Sequence, residues 1–151
     1  MSSYGTVLVG TDGSASSFRA VSRAAEVAEG MGSTLLIVTA YRPMSPKEQK
    51  AAAEQLGSDA YKVQGSAPAE DALRDAKEIA IRAGASKVET LAVEGDPVDV
   101  LADSAAKRKI DLLVVGNRGL NSLAGRILGS VPQNISHRAH CDVLIVHTTG
   151  K

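Results

Sequence analysis

Residues 116–130 read Gly-Asn-Arg-Gly-Leu-Asn-Ser-Leu-Ala-Gly-Arg-Ile-Leu-Gly-Ser, and they join two segments of different character. Before them, residues 110–115 read Ile-Asp-Leu-Leu-Val-Val, an apolar run typical of a strand buried on both faces. After them, residues 131–139 have the pattern of a helix that begins at Ser130. Glycine lets backbone N–H groups approach a ligand closely, and a helix start favours an anion. The stretch therefore predicts a phosphate-binding loop between a strand and a helix.

Two better-known glycine loops do not match this stretch. A Walker A loop needs a lysine after its second glycine, and no lysine lies between Lys109 and Lys151. A dinucleotide fingerprint needs Gly-x-Gly-x-x-Gly near the first strand, where residues 10–14 read Gly-Thr-Asp-Gly-Ser. A plainer interpretation stays open, in which Gly116 and Gly119 only form a tight turn.

The Gly-x2-Gly-x9-Gly-Ser spacing after a fourth strand, together with Thr-Asp-Gly-Ser after the first, resembles the universal stress protein family. The resemblance extends from residues 7–10 to residues 143–146. It implies an α/β fold, a single-domain three-layer sandwich in which a five-stranded parallel sheet of order 3-2-1-4-5 has helices on both faces. In that order strands 1 and 4 are neighbours, so their two glycine-bearing loops face each other across a cleft at the carboxyl ends of the strands.

Composition narrows the classes of function. At 151 residues, we expect one domain over residues 1–151. The 17 basic and 17 acidic residues leave no net charge that would favour nucleic acid or an anionic membrane. Cys141 is the single cysteine and has no partner for an internal disulfide, which favours a reducing, cytoplasmic setting. No apolar run approaches the roughly 18 residues of a membrane span, and residues 1–4 do not resemble a signal peptide.

Strands and helices alternate in the remaining pattern, which predicts a parallel sheet with right-handed crossovers. Further strands are expected at residues 6–9, 34–39, 88–93 and 142–147, and further helices after Ser14, at residues 68–83 and from residue 97 to about residue 109. Asp12 or Ser14 is expected to cap the first helix, and Gly30 or Gly32 to end it. The third strand is the least apolar, as edge strands tend to be. Residues 41–66, with a helical piece at 46–56, are expected to form a mobile surface segment near the cleft, or an insertion without function.

The first loop is expected to contact the sugar end of a ligand. Asp12 can accept hydrogen bonds from ribose hydroxyls or help to hold a divalent cation, unless it only caps the first helix. Gly10, Thr11 and Gly13 are expected to shape the same turn. The resemblance further implies that backbone groups of Ala40, just past the second strand, hold the edge of an adenine ring.

The second loop is expected to contact phosphate. Gly116 and Gly119 would let the backbone approach, and Arg118 between them could make a charge-assisted contact or point to solvent. Gly129, Ser130 and Val131 open the last helix, where Ser130 offers a hydroxyl and an N–H group.

The next residue, Pro132, departs from the family pattern. Members that hold a triphosphate commonly have a hydroxyl residue at this position. Proline has no hydroxyl and no N–H group, so donors to a phosphate tail are missing. Tight binding of ATP with Mg2+ is thereby in doubt, and AMP or cyclic AMP becomes a serious competitor.

The resemblance implies a cytoplasmic adenine-nucleotide-binding protein, either regulatory or nucleotide-sequestering, with ATP, cyclic AMP or AMP as ligand. An alternative is a weak ATPase or an enzyme that phosphorylates itself. We expect no catalytic residue and at most slow hydrolysis, because no lysine accompanies the glycine loop. No metal site is expected, since His137 and His140 lack a further ligand nearby. The third hypothesis is a ligand-free dimeric interaction protein.

The last strand, at residues 142–147, is an apolar run at the edge of the expected sheet. An unpaired edge associates with another strand unless it is covered. Pairing with a second copy across a two-fold axis would cover it, so the sequence predicts a homodimer through this strand.

Overall fold

Five strands and four helices alternate in the computed structural model, which describes residues 4–42, 67–117 and 130–148. The strands are β1 (Thr6–Gly10), β2 (Thr34–Tyr41), β3 (Val88–Glu94), β4 (Leu112–Gly116) and β5 (Asp142–Val146). The helices are α1 (Ala15–Met31), α2 (Ala67–Arg82), α3 (Pro97–Lys107) and α4 (Ser130–Arg138). Of the expected surface segment at 41–66, residues 43–66 and the helical piece at 46–56 lie outside the described residues.

All five strands form one parallel sheet in the order β3-β2-β1-β4-β5, which confirms the expected order. Strand β3 lies at one edge, as its weaker apolar pattern predicted, and β5 lies at the other. In the centre, Val9 of β1 is level with Ile37 of β2 and with Val114 of β4. The chain goes from β1 to β2 on one side and later returns to β4 on the other. The carboxyl ends of β1 and β4 therefore form the switch point of the sheet, where open α/β sheets bind ligands.

Helices cover both faces of the sheet, so the three-layer arrangement is also confirmed. On one face, α1 and α2 pack small residues such as Ala24 and Ala76 against Val7 and Ile37. On the other face, α3 and α4 pack Leu101 and Ile135 against the alternate residues of the same strands. Strands that are covered on both faces are apolar at nearly every position, as the sequences of β1, β2 and β4 are.

Helices α1, α2 and α3 end in the same way. After α1, the residue at the turn is Gly32, with φ of 66°, and the N–H group of the following Ser33 donates to Ala28 O over 2.8 Å. Gly84, with φ of 112°, occupies the matching position after α2. After α3 that position is taken by Lys109, with φ of 52°. These are Schellman turns, and the left-handed residue they need is usually glycine.

The third turn explains two differences from the expected boundaries. Helix α3 was expected to reach Lys109 and instead ends at Lys107, because Lys109 is left-handed. The fourth strand was expected from residue 110, yet β4 begins at Leu112. Ile110 completes the turn, since its N–H group donates to Ala105 O over 2.9 Å, and its side chain is buried. An apolar residue after a helix can therefore belong to the helix end as well as to the next strand.

Among the described residues, no helix combines the length and the apolar character needed to cross a membrane.

Candidate functional site

The loop after β1 is held in place by its own side chains. Thr11 is buried, and its Oγ1 accepts a hydrogen bond from the Gly13 N–H group over 3.1 Å. Asp12 Oδ1 accepts from the Ser14 N–H group over 2.9 Å. Ser14 is the N-cap of α1, where its side chain accepts from the Ser17 N–H group. The expected cap is therefore Ser14, and the alternative that Asp12 caps the helix is wrong; Asp12 closes a local turn instead.

This arrangement decides what the first loop offers to a ligand. The N–H groups of Gly13 and Ser14 are both engaged within the loop. Thr39 in β2 donates its hydroxyl to Thr11 O over 2.7 Å, which ties the loop to the neighbouring strand. Asp12 is exposed. The loop thus presents a carboxylate at the switch point, while its Gly13 and Ser14 N–H groups already have acceptors within the loop.

Backbone groups of Ala40 point toward the first loop. In a strand, successive residues direct their N–H and C=O groups to opposite sides. Val38 O accepts from the Thr11 N–H group over 3.0 Å, so Val38 points toward β1. Tyr41 O accepts from the Gly95 N–H group over 2.8 Å, so Tyr41 points toward β3. Ala40 therefore points to the β1 side, and it does so beyond the end of β1, which stops level with Val38.

Gly10 and Gly116 end β1 and β4 next to each other. A Cβ atom on Gly10 would lie 3.0 Å from Leu101 Cδ1, so a larger residue here would require the Leu101 side chain to move. Gly116 is partly buried and level with Val146 of β5. Neither residue places a side chain in the space between the two loops.

A crossover helix runs back along the strand before it, so the start of α4 is expected on the side of the carboxyl ends of the strands. Its first residue is Ser130, and the half-buried Val131 packs its side chain against the core of that face. Only backbone groups of Val131 are thus available to a ligand. Pro132 is fully buried and contributes no N–H group to the helix start.

The structure brings most of the expected site residues together at the carboxyl ends of the strands. These are Gly10, Thr11, Asp12, Gly13, Ala40 and Gly116. Ser130 and Val131 open α4. Arg118, Gly119 and Gly129 lie outside the described residues.

Two residues at the carboxyl ends of the strands were not predicted. Asn117, inside the glycine motif, accepts two hydrogen bonds at Oδ1 from Thr148, one from its N–H group and one from its hydroxyl, each over 2.9 Å. Thr148 is buried, although it lies beyond the last strand. The glycine spacing pointed to Asn117 without giving it a role. No local pattern distinguishes Thr148 from any other polar residue near a chain end.

Two groups with shifted pKa values lie at the amino ends of the strands, away from the candidate site. Burial raises the pKa of the Cys141 thiol, with a further contribution from the neighbouring Asp142 carboxylate. A hydrogen bond from the Tyr4 hydroxyl to Asp142, 2.8 Å long, raises the pKa of Tyr4. Cys141 is half-buried, as expected for a small packing residue. A raised pKa disfavours the thiolate, which agrees with a structural role.

The strand order defines a doubly wound α/β protein, with its candidate site at the switch point between β1 and β4. This chain belongs to the universal stress protein family, whose characteristic sequence pattern it matches over residues 3–147.

Similar proteins agree with this assignment. The universal stress protein Rv1636 of Mycobacterium tuberculosis is 56% identical over 149 residues, which are 99% of this chain and 100% of that protein. The crystal structure of Rv1636 has a TM-score of 0.62 and covers 99% of both chains. A crystal structure of a universal stress protein in complex with cAMP is 46% identical, with a TM-score of 0.76, over 98% of this chain and 100% of that one.

Proposed function

We propose that this protein is an adenine-nucleotide-binding module that acts by regulation or by sequestering its ligand, with cyclic AMP or AMP preferred over ATP. The observation that carries the proposal is the 46% identity, over 98% of the chain, to a universal stress protein in complex with cAMP. The proposed setting is the cytoplasm, in accord with a single cysteine that has no partner for an internal disulfide.

The base is proposed to lie against Ala40. Its N–H and C=O groups are directed past the end of β1, as the flanking hydrogen bonds of Val38 and Tyr41 require. One donor and one acceptor side by side match the edge of an adenine ring, which also carries both. Since aromatic residues are scarce, aliphatic side chains have to cover the ring faces.

The ribose is proposed to lie against Asp12. One carboxylate oxygen is used by the Ser14 N–H group, and a carboxylate has acceptor capacity left at its second oxygen. A negative group beside a phosphate site would be repulsive unless it accepts hydrogen bonds, and ribose hydroxyls are suitable donors. The N–H groups of Gly13 and Ser14 already donate to acceptors within the first loop, which supports the placement of the ribose there and of the phosphate elsewhere.

The phosphate is proposed to lie between Gly116 and the start of α4, with Gly119, Gly129, Ser130 and Val131 as backbone donors and Arg118 as a charged partner. Unpaired N–H groups and the helix dipole favour an anion at this end of α4. Pro132 withdraws one of the N–H groups and turns its side chain into the core. Fewer donors suit a single phosphate better than a triphosphate with Mg2+.

We also propose that the protein is a homodimer through β5. This strand is an edge of the sheet, and each of Val143, Leu144, Ile145 and Val146 is only partly buried in the single chain. Pairing with a second copy would supply hydrogen-bond partners for the outward N–H and C=O groups of β5 and would bury these side chains.

A competition titration tests the proposed ligand. Purified protein binds a fluorescent cyclic AMP, which is then displaced by cyclic AMP, AMP and ATP, with and without Mg2+. We expect cyclic AMP and AMP to displace it at lower concentrations than ATP. Absence of saturable binding for all three nucleotides would exclude the proposed function.

Replacement of Asp12 tests the proposed ribose contact. Asp12→Asn removes the charge and replaces one acceptor oxygen with an amide donor, and we expect cyclic AMP to bind about tenfold or more weakly, as for loss of a charged hydrogen bond. The matched control is Asp103→Asn, since Asp103 is an exposed carboxylate on α3 outside the switch point. Equal affinities for the two variants would remove Asp12 from the site.

A further inference from the structure

A buried polar cluster around Thr148 links Asn117, which follows β4, to the first turns of α1. Thr148 is 3% exposed and uses every polar atom it has. Its N–H and hydroxyl groups donate to Asn117 Oδ1, its Oγ1 lies 2.6 Å from Ser16 Oγ, and its carbonyl oxygen accepts from Arg19 Nη1 over 2.9 Å. Asn117 belongs to the glycine motif, while Ser16 and Arg19 belong to the first turns of α1. One residue beyond β5 thus connects the segments that follow β4 and β1.

The direction of each hydrogen bond can be worked out. The Thr148 N–H group can only donate, so the atom of Asn117 that faces it has to be the amide oxygen. A hydroxyl has one proton, and Thr148 gives its proton to that same oxygen. In the 2.6 Å contact, Ser16 is therefore the donor and Thr148 the acceptor. The chain of donors runs from α1 through Thr148 to Asn117.

This cluster holds the residue next to Gly116. The Asn117 N–H group donates to Val146 O over 2.8 Å, which extends the pairing of β4 and β5 by one step. The backbone and the side chain of Asn117 are thus both held at the point where the chain leaves β4. Through Thr148, this point is also tied to Ser16 and Arg19 in α1, next to the loop that carries Asp12.

We infer that Thr148 is a positioning residue for the nucleotide site, which acts through Asn117 and holds the end of β4 in place relative to the first loop. The inference rests on the proposed function, in that the ligand is taken to span both loops. Thr148 itself is buried, and the inference gives it no contact with the ligand. Residues beyond the last strand are thereby part of the support of the site.

The variant Thr148→Val tests this inference because it keeps the shape and the N–H group and removes the hydroxyl. Two hydrogen bonds are lost, and we expect cyclic AMP to bind about fivefold to tenfold more weakly. Thr148→Ser restores the hydroxyl and should restore the affinity to within about twofold. In an Asn117→Ala background, Thr148→Val should have no further effect, because the residue through which it acts is already absent.

The matched control is Ser33→Ala. Ser33 is also buried, and its hydroxyl donates to Tyr4 O. This bond links the residues before β1 and β2, at the amino ends of the strands and away from the candidate site. This variant should lose stability and keep the wild-type affinity for cyclic AMP. A drop in affinity equal to that of Thr148→Val would show a general loss of stability and would overturn the inference.

A second measurement needs no nucleotide. Hydrogen exchange of the Asn117 amide, followed by NMR in the ligand-free protein, should be faster in Thr148→Val and close to wild type in Thr148→Ser and Ser33→Ala. Unchanged exchange in Thr148→Val would overturn the inference even if the wild-type protein binds no nucleotide, a result that would separately exclude the proposed function. Faster exchange with unchanged affinity would also overturn it. Should Thr148→Val fail to fold, Ser16→Ala removes the donor to the same hydroxyl and is measured in its place.

Discussion

At the scale of single residues, glycine is required where the backbone turns or where another element comes close. Gly13 combines both requirements, since its φ is 85° and a Cβ atom would lie 3.2 Å from Ala72 Cβ in α2. Gly32 has φ of 66° with open space around it, so only the backbone requires glycine there. The two positions allow strain of the backbone to be separated from a steric contact.

We predict that Gly13→Ala destabilises the protein more than Gly32→Ala does. Both variants force alanine into a left-handed conformation at a cost of about 1 kcal/mol. Gly13→Ala adds the contact with Ala72, and the total is expected to be about 2 kcal/mol. The free energy of unfolding in urea measures both. In an Ala72→Gly background the difference between the two variants should disappear, and its persistence would mean that Ala72 is not the obstacle.

Pro132 provides a test at the same scale of how many phosphates the site holds. Pro132→Ala restores an N–H group at the start of α4, and Pro132→Ser restores the same group with a hydroxyl. We predict that both variants gain affinity for ATP relative to cyclic AMP, measured by competition. Because the side chain at this position is buried, the N–H group should account for most of the gain, and the two variants should behave alike. A gain in Pro132→Ser alone would mean that its hydroxyl reaches the ligand.

At the scale of elements, the three Schellman turns show how the helices are ended and where the sequence was misleading. Gly32 and Gly84 were recognisable as helix ends, because glycine is the usual residue there. The helix over 97–107 has Lys109 at this position, and a run of three basic residues concealed the end. The end of α3 depends on hydrogen bonds to Ala105 O and Ala106 O, which cannot be predicted from the residue types.

We predict that glycine is more stable than alanine at position 109 and less stable at position 107. Lys109 is left-handed, so Lys109→Gly should exceed Lys109→Ala by about 1 kcal/mol. Lys107 is the last residue of α3, where the order reverses by a similar amount. Both pairs remove the same charge, so the dipole of the helix affects each comparison equally. Thermal denaturation of the four variants measures their stabilities. If glycine and alanine ranked in the same order at both positions, the left-handed conformation of Lys109 would be contradicted.

At the scale of the whole molecule, one sheet separates two cores, and its order determines where the site lies. Residues of β1, β2 and β4 alternate between the core under α1 and α2 and the core under α3 and α4. Among the residues that the structure describes, both outer strands are paired on one side only. The switch point between β1 and β4 collects the candidate site residues, and the edge at β5 is the surface proposed for a second copy.

The proposed dimer can be tested with two prolines in one strand. Val146 O accepts from the Asn117 N–H group, so Val146 points toward β4, and by alternation Val143 points outward. Val143→Pro should leave the sheet intact and give a monomer, because proline is tolerated at an edge and blocks pairing. Val146→Pro should destabilise the fold by about 3 kcal/mol, since it removes a bond inside the sheet. Sedimentation measures the first effect and urea denaturation the second; a folded dimer of Val143→Pro would exclude pairing through β5.

By itself, the sequence determined the alternation of strands and helices and the glycines that follow the first and fourth strands, because each depends on residues that are close along the chain. The cap of α1 stayed open between Asp12 and Ser14 until the structure identified Ser14. The strand order followed from resemblance to the family. Only the tertiary structure decided that Pro132 turns into the core, that Ala40 directs its backbone groups past β1, and that Thr148 holds Asn117. Asn117 and Thr148 are 31 residues apart and meet because β4 and β5 end side by side. Contacts of that kind arise from packing between elements, which no local pattern of residue types records.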